Sequence, residues 1–219
     1  MHSGINNPKA YIYNMLIALP GIIIGLSFHE FGHAFTSYKL GDNTPMLDGR
    51  VTINPLKHME PMGFLALIIG GFGWGIPVRI DPSNYKHPRR DEFLVAIAGV
   101  FNNFIIAIIF TFILKLILKM VYGNLGLKNN FMLILIDILT QAVFINIVLA
   151  IFNLLPIPPL DGFSIVTEVF NIKKTEKYYM FYEKGFVILL LLLIAGLADK
   201  IIQPIVMSVF RLLAHIITL

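Results

Sequence analysis

His29 and His33 lie four residues apart with Glu30 beside the first, an H-E-x-x-H pattern. On a helix, residues four apart share a face, so both imidazoles can reach one zinc ion. Glu30 then sits where a carboxylate can take a proton from a zinc-activated water. The surrounding run Tyr11–Tyr38 is almost wholly apolar apart from these three side chains and a few small or amide groups. Ionisable groups at membrane depth are costly and are retained mainly where they do work. Hydrolytic chemistry at a zinc ion inside a bilayer is therefore the first reading.

A catalytic zinc usually has three protein ligands and an open position. The chain contains no cysteine, so the ligands must be histidine and carboxylate. Asp161 is the candidate third ligand, in the stretch Asn153-Leu-Leu-Pro-Ile-Pro-Pro-Leu-Asp161-Gly162. Pro156, Pro158 and Pro159 break a helix there and re-aim the chain, and Gly162 permits a tight turn after the carboxylate.

These groups need a scaffold, and composition indicates its class. Of 219 residues, 57% are hydrophobic and only 14% charged, with a mean hydropathy of +0.77. An all-α polytopic membrane protein is expected, forming a single membrane domain over residues 1–219. The net charge of +4 is scattered over loops without aromatic interleaving, which argues for positive cytoplasmic loops and against nucleic acid. Four segments are long enough to span: Tyr11–Tyr38, Phe93–Tyr122, Phe131–Leu155 and Tyr178–Leu197. The first lacks an A-x-A-like cleavage site and reads as a retained span. The stretch 200–219 contains Pro204, Arg211 and His215, and is either another span or an interfacial helix.

Met62–Gly75 is apolar but short and ends in Gly70, Gly71, Gly73 and Gly75 around Trp74, the only tryptophan. That glycine density argues against a regular helix and for a re-entrant, hairpin-like element. Lys39, Arg50, Lys57, Arg79, Lys86, Arg89 and Arg90 place the connection after the first span in the cytoplasm, as Lys173, Lys174 and Lys177 do for a later one. The N-terminus then faces outward. Parity supports the re-entrant reading, because only without a further crossing does Asp161 return to the side of His29 and His33.

The motifs H-E-F-G-H-A at 29–34 and N-L-L-P-I-P-P-L-D-G at 153–162 resemble the two signatures of the site-2 protease family. Asn54-Pro55-Leu-Lys-His58-Met-Glu-Pro61-Met-Gly63, Gly73-Trp74-Gly75-Ile-Pro77-Val78, Asn84, Pro88-Arg89-Arg90 and Ala98-Gly99 are similar to its pattern as well. The likeness covers most of residues 25–165 and is to the compact form, without a PDZ or CBS module. It implies a zinc metalloprotease with a three-helix catalytic core, additional C-terminal helices and one Zn2+ per chain. It also implies membrane-embedded protein substrates, most simply in a prokaryotic plasma membrane, with the zinc toward the cytoplasm. His29, His33 and Asp161 would hold the metal and Glu30 would be the general base. Asn103, at the asparagine of the family's A-G-P-x-x-N, would hydrogen-bond the oxyanion. That motif reads Ala98-Gly99-Val100-Phe101-Asn102-Asn103 here, so Val100 replaces the proline and Asn102 could compete for the role. The hairpin before Pro77 would offer an edge to an extended substrate.

Other polar residues have structural readings. His58 is a metal or substrate contact or a structural hydrogen-bonding group. Asn153 either serves the site or braces the Pro156 break. Asp137 braces the bundle, with Lys115 or Lys119 as partner. Two other functions fit a buried His/Asp set: a zinc-transporting or zinc-binding membrane protein, and a catalytically silent relative. Glu30, placed for water activation, disfavours the first, and the complete ligand set disfavours the second.

Overall fold

The computed structural model describes residues 7–70, 73–123, 126–173 and 175–218, so Gly71 and Lys174 lie outside the described residues. Eight α-helices follow in order: α1 Pro8–Lys39, α2 Thr44–Leu47, α3 Pro61–Gly70, α4 Pro88–Tyr122, α5 Asn130–Asn153, α6 Asp161–Phe170, α7 Glu176–Ile194 and α8 Leu197–Thr218. Three of them, α1, α4 and α5, are long and apolar enough to cross a membrane. They pack mutually as the centre of the molecule. The protein is an all-α polytopic membrane protein.

α1 begins with Asn7, whose side chain accepts from Ala10 N, and Pro8 takes the first helical position, where no amide donor is needed. Its inner faces carry small residues. A Cβ at Gly21 would lie 2.7 Å from the Ala142 Cα, and one at Gly32 would lie 2.8 Å from the Ala98 oxygen. Backbones can approach this closely only where side chains are minimal, which is how helices associate when lipid removes the hydrophobic drive. Buried amides complete the contact: Asn103 Nδ2 donates to Gly25 O at 3.0 Å and to Asn146 Oδ1 at 3.1 Å.

α8 lays Ala198, Ile202, Val206 and Leu213 against Ala107, Val143 and Ile147 of α4 and α5. The fourth expected span is helical, as α7, but Glu176, Glu183 and Lys184 lie within its first half. Its apolar run begins only after them. Asp137 accepts from the Tyr13 hydroxyl at 2.7 Å, and Lys115 donates to Ile216 O at 2.9 Å, so neither pairs with the other.

The Met62–Gly75 segment departs from expectation. Its first part is the regular helix α3, because the glycines gather at its end and only Gly63 interrupts a run of apolar helix formers. Glu60 opens the helix by accepting from Gly63 N. At ten residues, or roughly 15 Å, α3 is half the length needed to cross a hydrocarbon core of about 30 Å. It runs antiparallel to α1. Tyr11 donates to Ile68 O at 2.8 Å near one end, and Met59 pairs with Gly75 in an isolated antiparallel bridge at the other. His58 is fully buried beneath that bridge and donates from Nε2 to Thr52 O at 2.7 Å, which is the structural reading.

Asp42 fastens the returning chain to the end of α1. Its buried carboxylate accepts from Ser37 Oγ, Thr44 N, Asp81 N and Asn84 Nδ2 at 2.9–3.0 Å. Burial alone would raise this carboxyl, but the hydrogen bonds from Thr44, Asp81 and Asn84 outweigh it and hold the group at about 2. A folded-state value below the ordinary 3.8 contributes stability above pH ~4 that is lost as pH falls through about 2. Asp42→Asn is therefore expected to cost about 2 kcal/mol at pH 7. Unfolding measured in detergent should show the gap to wild type narrowing as the pH approaches 2.5, about half a unit above that folded value.

Candidate metal centre

α1 presents His29 and His33 toward α4, and the bend after α5 presents Asp161 at the first turn of α6. His29 Nε2 lies 3.1 Å from His33 Nε2, and Asp161 Oδ2 lies 3.2 and 3.3 Å from the two nitrogens. Ligand atoms of a tetrahedral site with bonds of about 2.0 Å are separated by about 3.3 Å, so this triangle has the size zinc requires.

The protonation pattern agrees. His33 Nδ1 donates to Val95 O at 2.8 Å, so in the neutral, metal-binding form of the ring Nε2 is the bare nitrogen. Asn103 must turn Nδ2 toward Gly25 O, an obligate acceptor, which leaves Oδ1 to accept from His29 Nδ1 at 2.7 Å. His29 Nε2 is bare as well. The two Nε2 atoms have no proton to share, and Asp161 Oδ2 is buried without a hydrogen-bond partner. Three lone-pair-bearing atoms converge on one point, an arrangement a divalent cation satisfies. The donor set of two imidazoles and a carboxylate suits zinc.

Gly99 makes this arrangement possible. A Cβ there would lie 2.5 Å from His33 Nε2 and 2.8 Å from His29 Cε1. The two imidazoles, their planes 86° apart, thus both pack against the bare backbone of α4. In the sequence the family-like Ala98-Gly99 marks the position but not this role. Gly99→Ala is expected to displace both rings and lower peptide cleavage about 100-fold, the cost of a misplacement near 1 Å. Steady-state cleavage alongside bound zinc per chain would check it.

Glu30, on the same turn of α1, accepts from Val78 N at 3.2 Å. It faces a cavity of about 250 Å³ shared with His29, His33, Asp161, Asn153 and Glu92, with Pro77 and Val78 forming one wall. Asn153 lines this cavity while donating to Leu149 O at 2.9 Å. Asn103 does not line it. That amide is fully buried behind His29, with its oxygen on the imidazole and its nitrogen on Gly25 and Asn146. Asn102 donates to Phe28 O at 2.8 Å and is likewise engaged. Val100 is buried within an α4 that runs unbroken from Pro88 to Tyr122, so replacing the family's proline leaves the helix intact.

The family profile described as Peptidase family M50 matches residues 17–193. The chain belongs to this family of site-2 proteases. It is 34% identical over 198 residues to "Putative zinc metalloprotease YwhC" of Bacillus subtilis (strain 168), covering 89% of each chain. It is 29% identical over 201 residues to "Putative zinc metalloprotease Rip2" of Mycolicibacterium smegmatis (strain ATCC 700084 / mc(2)155), covering 88% of this chain and 72% of that one. No solved structure matches the chain. This M50 peptidase is a zinc-dependent metallopeptidase, and His29, His33 and Asp161 are the group positioned to bind the metal.

Proposed function

We propose that this M50 peptidase is one membrane domain that hydrolyses peptide bonds in or near the transmembrane segments of other proteins. The observation that carries the reading is the depth of the ligand triangle. His29 lies ten residues before the end of α1, about 15 Å along the helix axis. At about 48 Å, α1 exceeds a core of roughly 30 Å by about 18 Å. With that excess shared between its ends, His29 would sit about 6 Å inside the core, which supports chemistry within the membrane near one face. The basic loops that follow α1 support a cytoplasmic location for this end, most simply at a prokaryotic plasma membrane.

His29, His33 and Asp161 hold the metal in this reading, and bound zinc supplies Lewis acidity to the water and to the scissile carbonyl. Glu30 accepts the proton of the attacking water as the new carbon–oxygen bond forms. It returns that proton to the amide nitrogen as the carbon–nitrogen bond breaks. Val78 N, by donating to Glu30 Oε2, holds the carboxylate at the cavity wall. Asn103, which the family likeness made an oxyanion donor, instead orients His29. Asn153 is the amide that shares the cavity with the ligands. The chain around Pro77 and Val78 borders the same cavity and is where an extended substrate would be gripped.

Purified protein reconstituted in bilayers should cleave single-span substrates within or at the edge of the span. Soluble unfolded proteins supplied from the aqueous phase should stay intact. Equal cleavage of both classes would overturn the intramembrane assignment.

A further inference from the structure

Two of the three metal-binding groups take their orientation from α4, through Val95 O on His33 and Asn103 Oδ1 on His29. Asp161 has no such partner, since its Oδ2 makes no hydrogen bond. It opens α6, a ten-residue helix, so its position depends on where that helix is held. The polar fastening lies at the opposite end. Arg89, in the first turn of α4, donates from Nε to Glu168 O at 2.5 Å and from a terminal nitrogen to Val169 O at 2.6 Å. Both carbonyls belong to the last turn of α6, where helix oxygens lack intrahelical partners. The planar guanidinium satisfies two at once and complements the negative end of the helix dipole. Lys173, just beyond the helix, pairs with Glu168 at 2.6 Å and also with Glu92 of α4. Glu168 is itself buried.

Apolar packing between α4 and α6 resists separation but resists sliding and rotation much less. Directional hydrogen bonds from Arg89, with the Glu92–Lys173–Glu168 ion pairs beside them, oppose both. A helix of this length is stiff, so fixing its last turn fixes its first. We infer that Arg89 and Lys173 are positioning residues for the third metal ligand, clamping the far end of α6 so that Asp161 meets His29 and His33. α4 then serves as the common reference for the whole centre. This rests on the zinc reading given above.

The test is zinc retention by purified full-length protein challenged with a chelator, read beside the unfolding temperature of the zinc-free forms. Arg89→Ala should release zinc about tenfold faster than wild type, the loss typical of an outer partner of a metal ligand. Its zinc-free unfolding temperature should stay at the wild-type value. Arg89→Lys should recover part of the retention. Lys86→Ala, which removes an exposed positive charge from the same groove but no hydrogen bond to α6, should change nothing. Lys173→Met severs the second fastening and should also speed release, so the inference stays testable if Arg89→Ala fails to fold. Wild-type retention in both Arg89→Ala and Lys173→Met would overturn the inference. So would faster release that merely tracks a lowered zinc-free unfolding temperature. A wild-type protein that never holds zinc would overturn the metal reading itself, and is thereby distinguished.

Discussion

Glu30→Gln is expected to retain zinc at the wild-type level and to lose peptide cleavage by about 10³–10⁴-fold. The substitution is nearly isosteric. Its amide oxygen can still accept from Val78 N, the contact that holds Glu30 at the cavity wall. None of the three atoms in the ligand triangle belongs to residue 30, so metal content should not change. What disappears is the group that takes the water's proton and delivers it to the leaving amine. Zinc per chain and cleavage of a single-span substrate, measured on the same preparation, decide the matter. Loss of both together would mean that Glu30 holds the site rather than working in it. Retention of both would move the general base elsewhere, and Glu92 is the other glutamate in the cavity.

Asp161→Ala should have an effect at least as large, by a different route. Losing an outer partner of a ligand costs about 10–100-fold in metal affinity, and losing a ligand costs more. Zinc should fall to trace levels, with cleavage reduced by about 10³-fold or more. The zinc-free proteins provide a second readout. In wild type the buried Oδ2 of Asp161 lies 3.2 and 3.3 Å from the two imidazole nitrogens, a cluster that is completed only when a cation sits between them. A buried acceptor or charge left unsatisfied is destabilising. Under chelation the alanine variant should therefore unfold close to wild type, whereas with zinc present wild type should be clearly the more stable. A variant that is weaker under both conditions would point to Asp161 as a structural group rather than a metal ligand.

The residues of this centre were legible where chemistry restricts residue type. His29, His33 and Asp161 stand out because few side chains bind zinc and fewer still occur in apolar runs. The long spans were legible because length and hydropathy alone define them, although charges in α7 set it apart from the other three. What escaped depends on contacts made at a distance along the chain. Asn103 sits at a family position, but only the folded neighbourhood shows its oxygen on His29 and its nitrogen on Gly25 and Asn146. Gly99 stands in a family-like Ala98-Gly99 pair, but its contact with both imidazoles appears only when α1 is laid against α4. The glycines near Trp74 suggested irregular backbone across the whole segment, yet they lie beyond a stretch of strong helix formers that becomes α3. Backbone partners such as Val95 O have no side-chain signature at all.

The order of the ligands along the chain bears on when activity first appears in the life of the molecule. His29 and His33 leave the ribosome before Asp161 and the clamp residue Lys173, which come more than 120 residues later. At about 5–20 residues per second, that interval is roughly 6–24 s of synthesis. A nascent chain with α1 inserted carries two zinc-binding imidazoles but neither the carboxylate nor the α4 contacts that orient them. Competence to cut is therefore withheld until most of the bundle has been inserted. A ribosome-stalled fragment ending before α6 would be membrane-bound and inert, and proteins inserting beside it would be spared.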